Sequence, residues 1–139
     1  MDDDLQRIFE ATNGQSYGQR LGMHLLELDR GYARVELLPS EDTGNIFGTV
    51  HGGVIFSLLD QAFGAAANSH GTVYVALNVS VNYLRPARVG EPLYAEAREI
   101  NRSRRVSTYQ LEARNRAGEL IATAQATAYG KGDRLPFLD

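Results

Sequence analysis

The spacing of apolar residues divides the chain into helical and strand-like segments. Apolar residues at helical spacing predict an amphipathic helix within residues 1–15. The longest apolar run begins after the Gly52-Gly53 pair and ends near Gly71, with about 17 residues between the glycines. Because that length is too great for a typical strand, the run predicts one long helix with almost no polar face.

The pattern changes after this helix from a period of about 3.6 residues to a period of two, which indicates strands. Three later strands are predicted over residues 93–100, 106–115 and 120–129, and two earlier ones flank a turn at residues 29–31. The glycine-rich and charged residues 130–139 are expected to form a flexible tail. In the first strand after the helix, one face is predicted to carry Val73, Val75, Leu77, Val79, Val81 and Tyr83, and the other Tyr74, Ala76, Asn78, Ser80 and Asn82.

These elements predict a single α+β domain over residues 1–139, since a chain of 139 residues suits one compact unit. A helix without a polar face must be covered on most sides, and a curved antiparallel sheet of about six strands wrapped around it provides that cover. One short domain leaves the flank of the helix and the ends of the sheet open. We therefore expect a homodimer, with dimers pairing further into a homotetramer.

Composition and charge exclude several classes of protein. The formal net charge of -3 offers no basic surplus to neutralise nucleic-acid phosphates. The absence of cysteine excludes disulfide scaffolds and thiol nucleophiles, and the three histidines lack metal-ligand spacing, so neither metal nor cofactor is expected. The acidic N-terminus does not resemble a secretory signal, and Asp60 interrupts the one run that approaches a membrane span. We expect a cytoplasmic protein that binds neither nucleic acid nor membrane.

A carboxylate, Asp60, lies in the middle of the predicted apolar helix. An ionised side chain buried there without partners would be strongly unfavourable, so it either faces solvent or carries a function. The start of the same helix offers unpaired N–H groups and a partial positive charge. Gly52 and Gly53, which lack a Cβ, would let another group approach that backbone closely.

The chain resembles the hotdog-fold acyl-CoA thioesterases, and most closely their phenylacetate-pathway (PaaI-type) branch, in the segments NIFGTVHGGVIFSLLDQAFGAAANSHG, VSVNYLRPARVGEPL and RSRRVSTYQLEARN. The similarity covers residues 20–130, and its most specific part is His-Gly-Gly followed by Asp60 and a Tyr-x-x-Pro strand end. It implies a hotdog fold, a dimeric catalytic unit, and hydrolysis of an aryl or hydroxyaryl acyl-CoA to free acid and CoA. This reaction needs a base or nucleophile and an oxyanion donor, which Asp60 and Gly52 would supply.

Distance decides how these two groups can cooperate. Gly52 and Asp60 are eight residues apart, so they lie about 12 Å from each other along a helix. The reacting atoms of a thioester must lie within about 3–3.5 Å of the acting groups, so one chain cannot supply both. We expect antiparallel helices in a dimer with two equivalent sites, each combining Asp60 of one chain with Gly52 of the other. Asp60 is then buried along its own helix, stays anionic and acts as general base or nucleophile.

Two residues before the helix are further candidates. His51 is expected to brace its loop through a ring hydrogen bond or, as the alternative, to act in catalysis directly. The family pattern places an asparagine six residues before the histidine, which Asn45 matches. Asn45 would hold water or the thioester, or else form a turn. Related thioesterases often carry a hydroxyl near the catalytic carboxylate, which leaves Ser57 and Ser80 as alternatives here.

The phosphorylated nucleotide end of coenzyme A calls for arginine, which binds phosphate in bidentate geometry. The cationic turn at residues 101–105 makes Arg104 and Arg105 the best candidates, although such charges can also be simply solvated. Walls of the acyl pocket are expected from Phe47, Phe56, Phe63 and Tyr83. The residues expected to bind substrate are Gly53, Gln61, Tyr83, Arg85, Arg104 and Arg105.

Two other functions remain as alternatives. A hotdog-fold hydratase or dehydratase acting on enoyl thioesters pairs a histidine with a carboxylate differently, and usually has a His-Phe-Pro motif that is absent here. A non-catalytic module would bind acyl-CoA without releasing a thiol. Thiol release over a panel of acyl-CoAs distinguishes these functions from hydrolysis.

Overall fold

The computed structural model describes residues 1–139 and places one long helix against a single antiparallel sheet. Two helices precede the sheet, α1 (Asp3–Asn13) and α2 (Ser16–Leu21), and the long helix is α3 (Gly52–Asn68). Helices α1 and α3 confirm the two predicted helices, whereas α2 is too short to show a helical period. The strands are β1 (Met23–Asp29), β2 (Tyr32–Leu37), β3 (Thr72–Tyr83), β4 (Leu93–Arg102), β5 (Val106–Asn115) and β6 (Leu120–Arg134).

The strand order is β1-β2-β4-β5-β6-β3, and the concave face of this sheet packs against α3. Alternate residues of the central strands are buried on that face, and many of them are alanine, which lets the helix approach the sheet closely. Leu58, Leu59 and Phe63 of α3 fill the centre of the core. The ring of Phe63 meets that of Tyr109 edge-on, with ring centroids 5.4 Å apart.

Strand β3 departs from the predicted alternation because it contains a bulge. Its pairing with β6 shifts register between Ala76 and Asn78, so Leu77 is an extra residue on β3. One extra residue inverts the alternation, and Ala76 and Val79 both lie opposite buried alanines of β6. The prediction that Val75, Leu77 and Val79 share one face is therefore wrong. The residues of β3 on the concave side are Tyr74, Ala76, Val79, Val81 and Tyr83.

The C-terminal residues are ordered, and the predicted flexible tail over residues 130–139 is therefore wrong. Strand β6 continues to Arg134, and a 3-10 turn follows at Pro136–Leu138. Within this turn Leu138 is buried, and its carbonyl accepts a hydrogen bond from Arg7 of α1 at 3.1 Å. The turn covers α1, so the two ends of the chain are packed against each other.

The edge of β3 and one side of α3 lack a covering partner. Strand β3 pairs only with β6, so its other edge is unpaired along the 12-residue strand, and we call this the open edge of β3. Long apolar edges of this kind are templates for pairing with another chain. The second surface is a stripe of α3 that the sheet does not bury, called here the open stripe of α3. It consists of Gly53, Phe56, Ser57, Asp60 and Gly64.

None of the helices is both long and apolar enough to cross a membrane.

Candidate active site

Helix α3 begins directly after His51, whose side chain caps it. The Nδ1 atom of His51 accepts a hydrogen bond from the N–H of Gly53 at 2.8 Å, which is a ring hydrogen bond at the helix start. The carbonyl of His51 accepts from the N–H groups of Val54 and Ile55 at 2.9 and 3.2 Å. Of the first four backbone N–H groups of α3, those of residues 52–55, only the N–H of Gly52 has no acceptor within the chain. It is therefore the donor available to an external oxygen atom.

A groove of about 320 Å³ opens at this helix start, and we call it the Gly52 groove. Asn45, Tyr83 and Arg85 line it together with Gly52, so the structure brings four of the predicted site residues together. The hydroxyl of Tyr83 donates a hydrogen bond to the Gly52 carbonyl at 3.1 Å. Arg85 is held by an ion pair with Glu119 at 2.8 Å, on an exposed part of the surface.

Asn45 organises the loop before the helix. Its Oδ1 atom accepts hydrogen bonds from the backbone N–H groups of Phe47 at 2.9 Å and Thr49 at 3.1 Å. Its Nδ2 atom donates to the hydroxyl of Thr49 at 2.9 Å. The amide therefore forms the turn that was one of its two expected roles, while one of its N–H groups is left without a partner in the chain.

Asp60 lies in a second groove of about 450 Å³, the Asp60 groove, between α1, α3 and the C-terminal turn. Its side chain is exposed in the single chain, so the folded chain alone does not bury Asp60, and the burial predicted for the dimer depends on the second copy. Solvent reaches the carboxyl from the open side of the groove, whereas protein atoms crowd its other sides. This partial burial raises the pKa of Asp60 above its ordinary value, and no ion pair or hydrogen bond opposes the shift. Gln61 lines the same groove.

The structure does not bring Gly52 and Asp60 together within one chain. The two grooves share no lining residue, and α3 separates the two positions by about 12 Å along its axis. A single thioester bound to one chain could reach the donor or the carboxylate, and not both.

Arg104 and Arg105 lie far from the helix start. The Arg105 carbonyl accepts a hydrogen bond at 2.7 Å from the β6 residue that pairs with Tyr74, at the beginning of β3. Gly52 contacts Tyr83, at the opposite end of the same strand. Nine residues of strand correspond to about 30 Å, so these two arginines do not join the Gly52 groove of their own chain.

Two hydroxyl groups, those of Ser57 and Tyr17, lie close together at the open stripe of α3. Ser57, three residues before Asp60, donates a hydrogen bond to the Gly53 carbonyl at 2.9 Å and lies 2.7 Å from the hydroxyl of Tyr17. Tyr17 belongs to α2, so the sequence pattern gave no signal for it. Ser80 points to the convex side of β3, away from α3. Ser57 is therefore the hydroxyl of the two alternatives that shares a surface with the carboxylate.

The aromatic residues expected around the acyl group divide into two sets. Phe63 is only 2% exposed and belongs to the core, so the prediction that it walls the pocket is wrong. Phe47, Phe56 and Tyr83 are all exposed beside the start of α3. No three His, Cys, Asp or Glu side chains lie together in a way that could hold a metal ion.

A long helix held against a six-stranded antiparallel sheet, with His-Gly-Gly at the helix start, defines the hotdog class of protein. The chain belongs to the thioesterase superfamily, whose family model matches residues 47–122, and it is accordingly a thioester hydrolase. It is 42% identical to a putative esterase of Archaeoglobus fulgidus, over 84% of this chain and 75% of that protein.

Comparison with a named enzyme and with solved structures agrees with this family. The chain is 30% identical to the acyl-coenzyme A thioesterase PaaI of Escherichia coli, over 91% of both chains. The solved structure of E. coli PaaI superposes with a TM-score of 0.90, at 27% identity, covering 94% of this chain and 95% of that one. A Streptococcus mutans protein solved with acetyl-CoA has a TM-score of 0.78 at 27% identity, covering 81% of this chain and 91% of that one.

Proposed function

We propose that this chain hydrolyses acyl-CoA thioesters at two equivalent sites, each shared between two copies of the chain. The Gly52 N–H of one copy binds the thioester carbonyl oxygen as it becomes an oxyanion. Asp60 of the other copy activates a water molecule or attacks the carbonyl carbon itself. The observation that carries the proposal is the division of these two groups between separate grooves of one helix.

The open edge of β3 supports a dimer of the required geometry. Two copies of this edge can pair antiparallel about a two-fold axis, which makes their α3 helices antiparallel as well. Each helix start then lies beside the middle of the other helix. The same pairing brings the beginning of one β3 to the end of the other, so Arg104 and Arg105 would reach the partner's Gly52 groove only across the dimer.

The electrostatics of this arrangement suit a carboxylate base. Pairing of the chains buries Asp60 further, which favours its protonated form. The positive end of the opposing α3 helix and its free N–H favour the anion and offset part of that cost. A carboxylate that is partly desolvated but still ionised is a stronger base than an exposed aspartate.

The substrate class follows from the grooves and from similar proteins. The Asp60 groove has apolar walls from Ile8, Ala11, Leu135 and Phe137, which suit the acyl group. The E. coli relative is named an acyl-CoA thioesterase, and the S. mutans structure was solved with acetyl-CoA, which supports a CoA thioester as substrate. Phe137 offers a surface for an aryl ring, so we include aryl acyl-CoA in the proposal.

Mixing two inactive variants tests the shared site directly. Asp60→Asn and Gly52→Ala should each lose thiol release from acyl-CoA when assayed alone. After unfolding and refolding together in equal amounts, half of the dimers are mixed and each holds one intact site, so about a quarter of wild-type activity should return. A mixture that stays as inactive as its components would refute a site shared between chains, provided that wild-type protein regains activity by the same procedure.

An acyl-CoA panel that includes phenylacetyl and hydroxybenzoyl thioesters, assayed with wild-type protein, tests the aryl preference.

A further inference from the structure

The loop before α3 carries an apolar tip. A bridge at the base of this loop, and a hydrogen bond at 3.1 Å from the Gly48 N–H to the Asn45 carbonyl, make residues 45–48 a tight turn. The two central residues of this turn are Ile46 and Phe47, and we call them the apolar tip. Their side chains are 94% and 81% exposed, more than any other large hydrophobic side chain of the protein.

Hydrogen bonds hold the turn in one shape, so the exposure of Phe47 is built into the loop. The Phe47 N–H donates to Oδ1 of Asn45 at 2.9 Å, and the Thr49 N–H donates to the same atom at 3.1 Å. Gly48 completes the turn with a φ of +82°, a conformation that favours glycine. A large apolar ring in water is unfavourable, whereas a ring that is already held in place can pack on a partner at little cost in conformational entropy.

The Asp60 groove opens toward the second copy in the proposed dimer. Asp60 and Gly64 line this groove and also belong to the open stripe of α3, which faces that copy. Asp60 is the only charged residue that lines the groove, so its surface suits an apolar partner. A Cβ atom at Gly64 would meet no heavy atom within 4 Å, which leaves room there for a ring.

The antiparallel arrangement of the helices brings the apolar tip to this opening. When Gly52 of one copy lies opposite Asp60 of the other, the chain that leads into Gly52 comes from the side of the residues that follow Asp60. Gly64 lies one helical turn, about 6 Å, beyond Asp60. Phe47 is five residues before Gly52, and five extended residues span at most about 17 Å, so the loop has the reach to place the ring over Gly64.

We propose that Phe47 of one copy packs against Gly64 of the other and closes the Asp60 groove on its open side, as a wall of the acyl pocket that is contributed in trans. This inference rests on the proposed function. Phe137, which lines the groove from the C-terminal turn, and Phe47 of the second copy then provide two apolar rings for one acyl group. A short acyl group ends beside Asp60 and reaches neither ring, so Phe47 determines which acyl groups bind well.

Cross-linking tests the contact without any assay of activity. The chain has no cysteine, so Phe47→Cys and Gly64→Cys each introduce a single thiol. Refolded together in equal amounts under mild oxidation, the two variants should form a disulfide-linked dimer, because only a contact between copies can join positions 47 and 64 of different chains. Each variant alone should stay unlinked, since each position lies away from its own copy across the two-fold axis.

The matched control for the cross-link is a mixture of Gly64→Cys with Ile100→Cys. Ile100 is also exposed, at 56%, but it lines neither groove. The inference is overturned if Phe47→Cys links to Gly64→Cys no more than Ile100→Cys does.

Kinetics on two thioesters test the role of Phe47 in specificity. Phe47→Ala should lower kcat/KM for phenylacetyl-CoA about tenfold and leave kcat/KM for acetyl-CoA within twofold of the wild type. Phe47→Leu, which keeps an apolar wall, should recover most of the loss. Ile100→Ala removes an exposed apolar side chain away from both grooves and should change neither value. An equal fall with both thioesters, or no fall with either, overturns the assignment of Phe47 to the acyl pocket.

The two experiments separate failure of this inference from failure of the proposed function. If the wild-type protein hydrolyses neither thioester, the thioesterase proposal fails, whereas the cross-link between positions 47 and 64 still tests the contact. If Asp60→Asn and Gly52→Ala complement each other but positions 47 and 64 do not link, the shared site is supported and Phe47 is not part of it.

Discussion

Replacing Gly52 with alanine tests the oxyanion donor without removing it. A Cβ atom at Gly52 would lie 3.6 Å from the ring of Tyr83, which is an ordinary van der Waals contact. Alanine has a lower conformational entropy in the unfolded chain than glycine, so the free energy of unfolding should stay equal or rise by up to about 1 kcal/mol. The methyl group, however, lies in the Gly52 groove beside the free N–H and displaces the thioester oxygen. When the oxyanion loses its hydrogen bond to such a donor, kcat falls by about 100- to 1,000-fold, or about 2.7–4 kcal/mol.

The adjacent glycine is the matched control, because the same substitution there has a different physical effect. A Cβ atom at Gly53 would lie 3.1 Å from Nδ1 and 3.3 Å from Cε1 of His51, so the ring must move. The hydrogen bond that caps α3 then weakens, which should lower the free energy of unfolding by about 1 kcal/mol and Tm by about 3–5 °C. Because the free N–H belongs to Gly52, hydrolysis should fall less in Gly53→Ala than in Gly52→Ala.

Thiol release at saturating acyl-CoA and thermal unfolding at equal protein concentration measure the two effects. We expect Gly52→Ala to be stable and nearly inactive, and Gly53→Ala to be less stable and more active. The reverse order of activities would show that Gly53 is the donor and that His51 does not cap the helix in the working enzyme. Activity of Gly52→Ala within fivefold of wild type would refute the role of this helix start altogether.

Three further substitutions probe the carboxylate, the open edge and the C-terminal turn. Asp60→Asn should lower kcat at least 100-fold, yet its Tm should equal or exceed that of the wild type. Burial raises the pKa of Asp60, so ionisation of this carboxyl lowers the stability of the folded chain as pH rises through that pKa. In the wild type, kcat/KM should fall as pH drops through the same pKa, which lies above the ordinary value of 3.8. Leu77→Lys, on the open edge of β3, should give a folded monomer by sedimentation and no hydrolysis; an active dimer would exclude pairing through this edge. Leu138→Ala should lower the free energy of unfolding in urea by about 2 kcal/mol, and an unchanged value would mean that the C-terminal turn is not packed.

Local features of the fold were predictable, and features that depend on a neighbouring strand were not. The bounds of α3 follow from its own apolar period and the flanking glycines, and β5 matches its predicted range of 106–115. The faces of β3 were predicted wrongly beyond Leu77, because a bulge exists only relative to the pairing with β6. Residues 130–139 contain too few apolar positions to show a period, although the burial of Leu138 is enough to order them.

The candidate site divides in the same way. Gly52 and Asp60 lie on one helix, so their spacing could be worked out from the sequence alone. Arg104 and Arg105 are adjacent in sequence, but only the strand pairing shows that they lie near the beginning of β3, at the opposite end from Gly52. The position of Tyr17 beside Ser57 could not be predicted, because its helix has six residues, fewer than two turns, and shows no helical period.

The position of the two-fold axis follows from the shared site and can be tested on its own. If Gly52 of each α3 lies opposite Asp60 of the other, the axis passes near the midpoint of these positions, which is Phe56. Phe56 belongs to the open stripe of α3 and is 37% exposed in the single chain, as a residue that packs against its own copy should be. The chain has no cysteine, so Phe56→Cys introduces one thiol, which under mild oxidation should form a disulfide with its copy. Gly64→Cys, two turns further along the same stripe, should stay unlinked. Cross-linking of Gly64→Cys in preference to Phe56→Cys would place the axis elsewhere and separate Gly52 from Asp60 in the dimer as well.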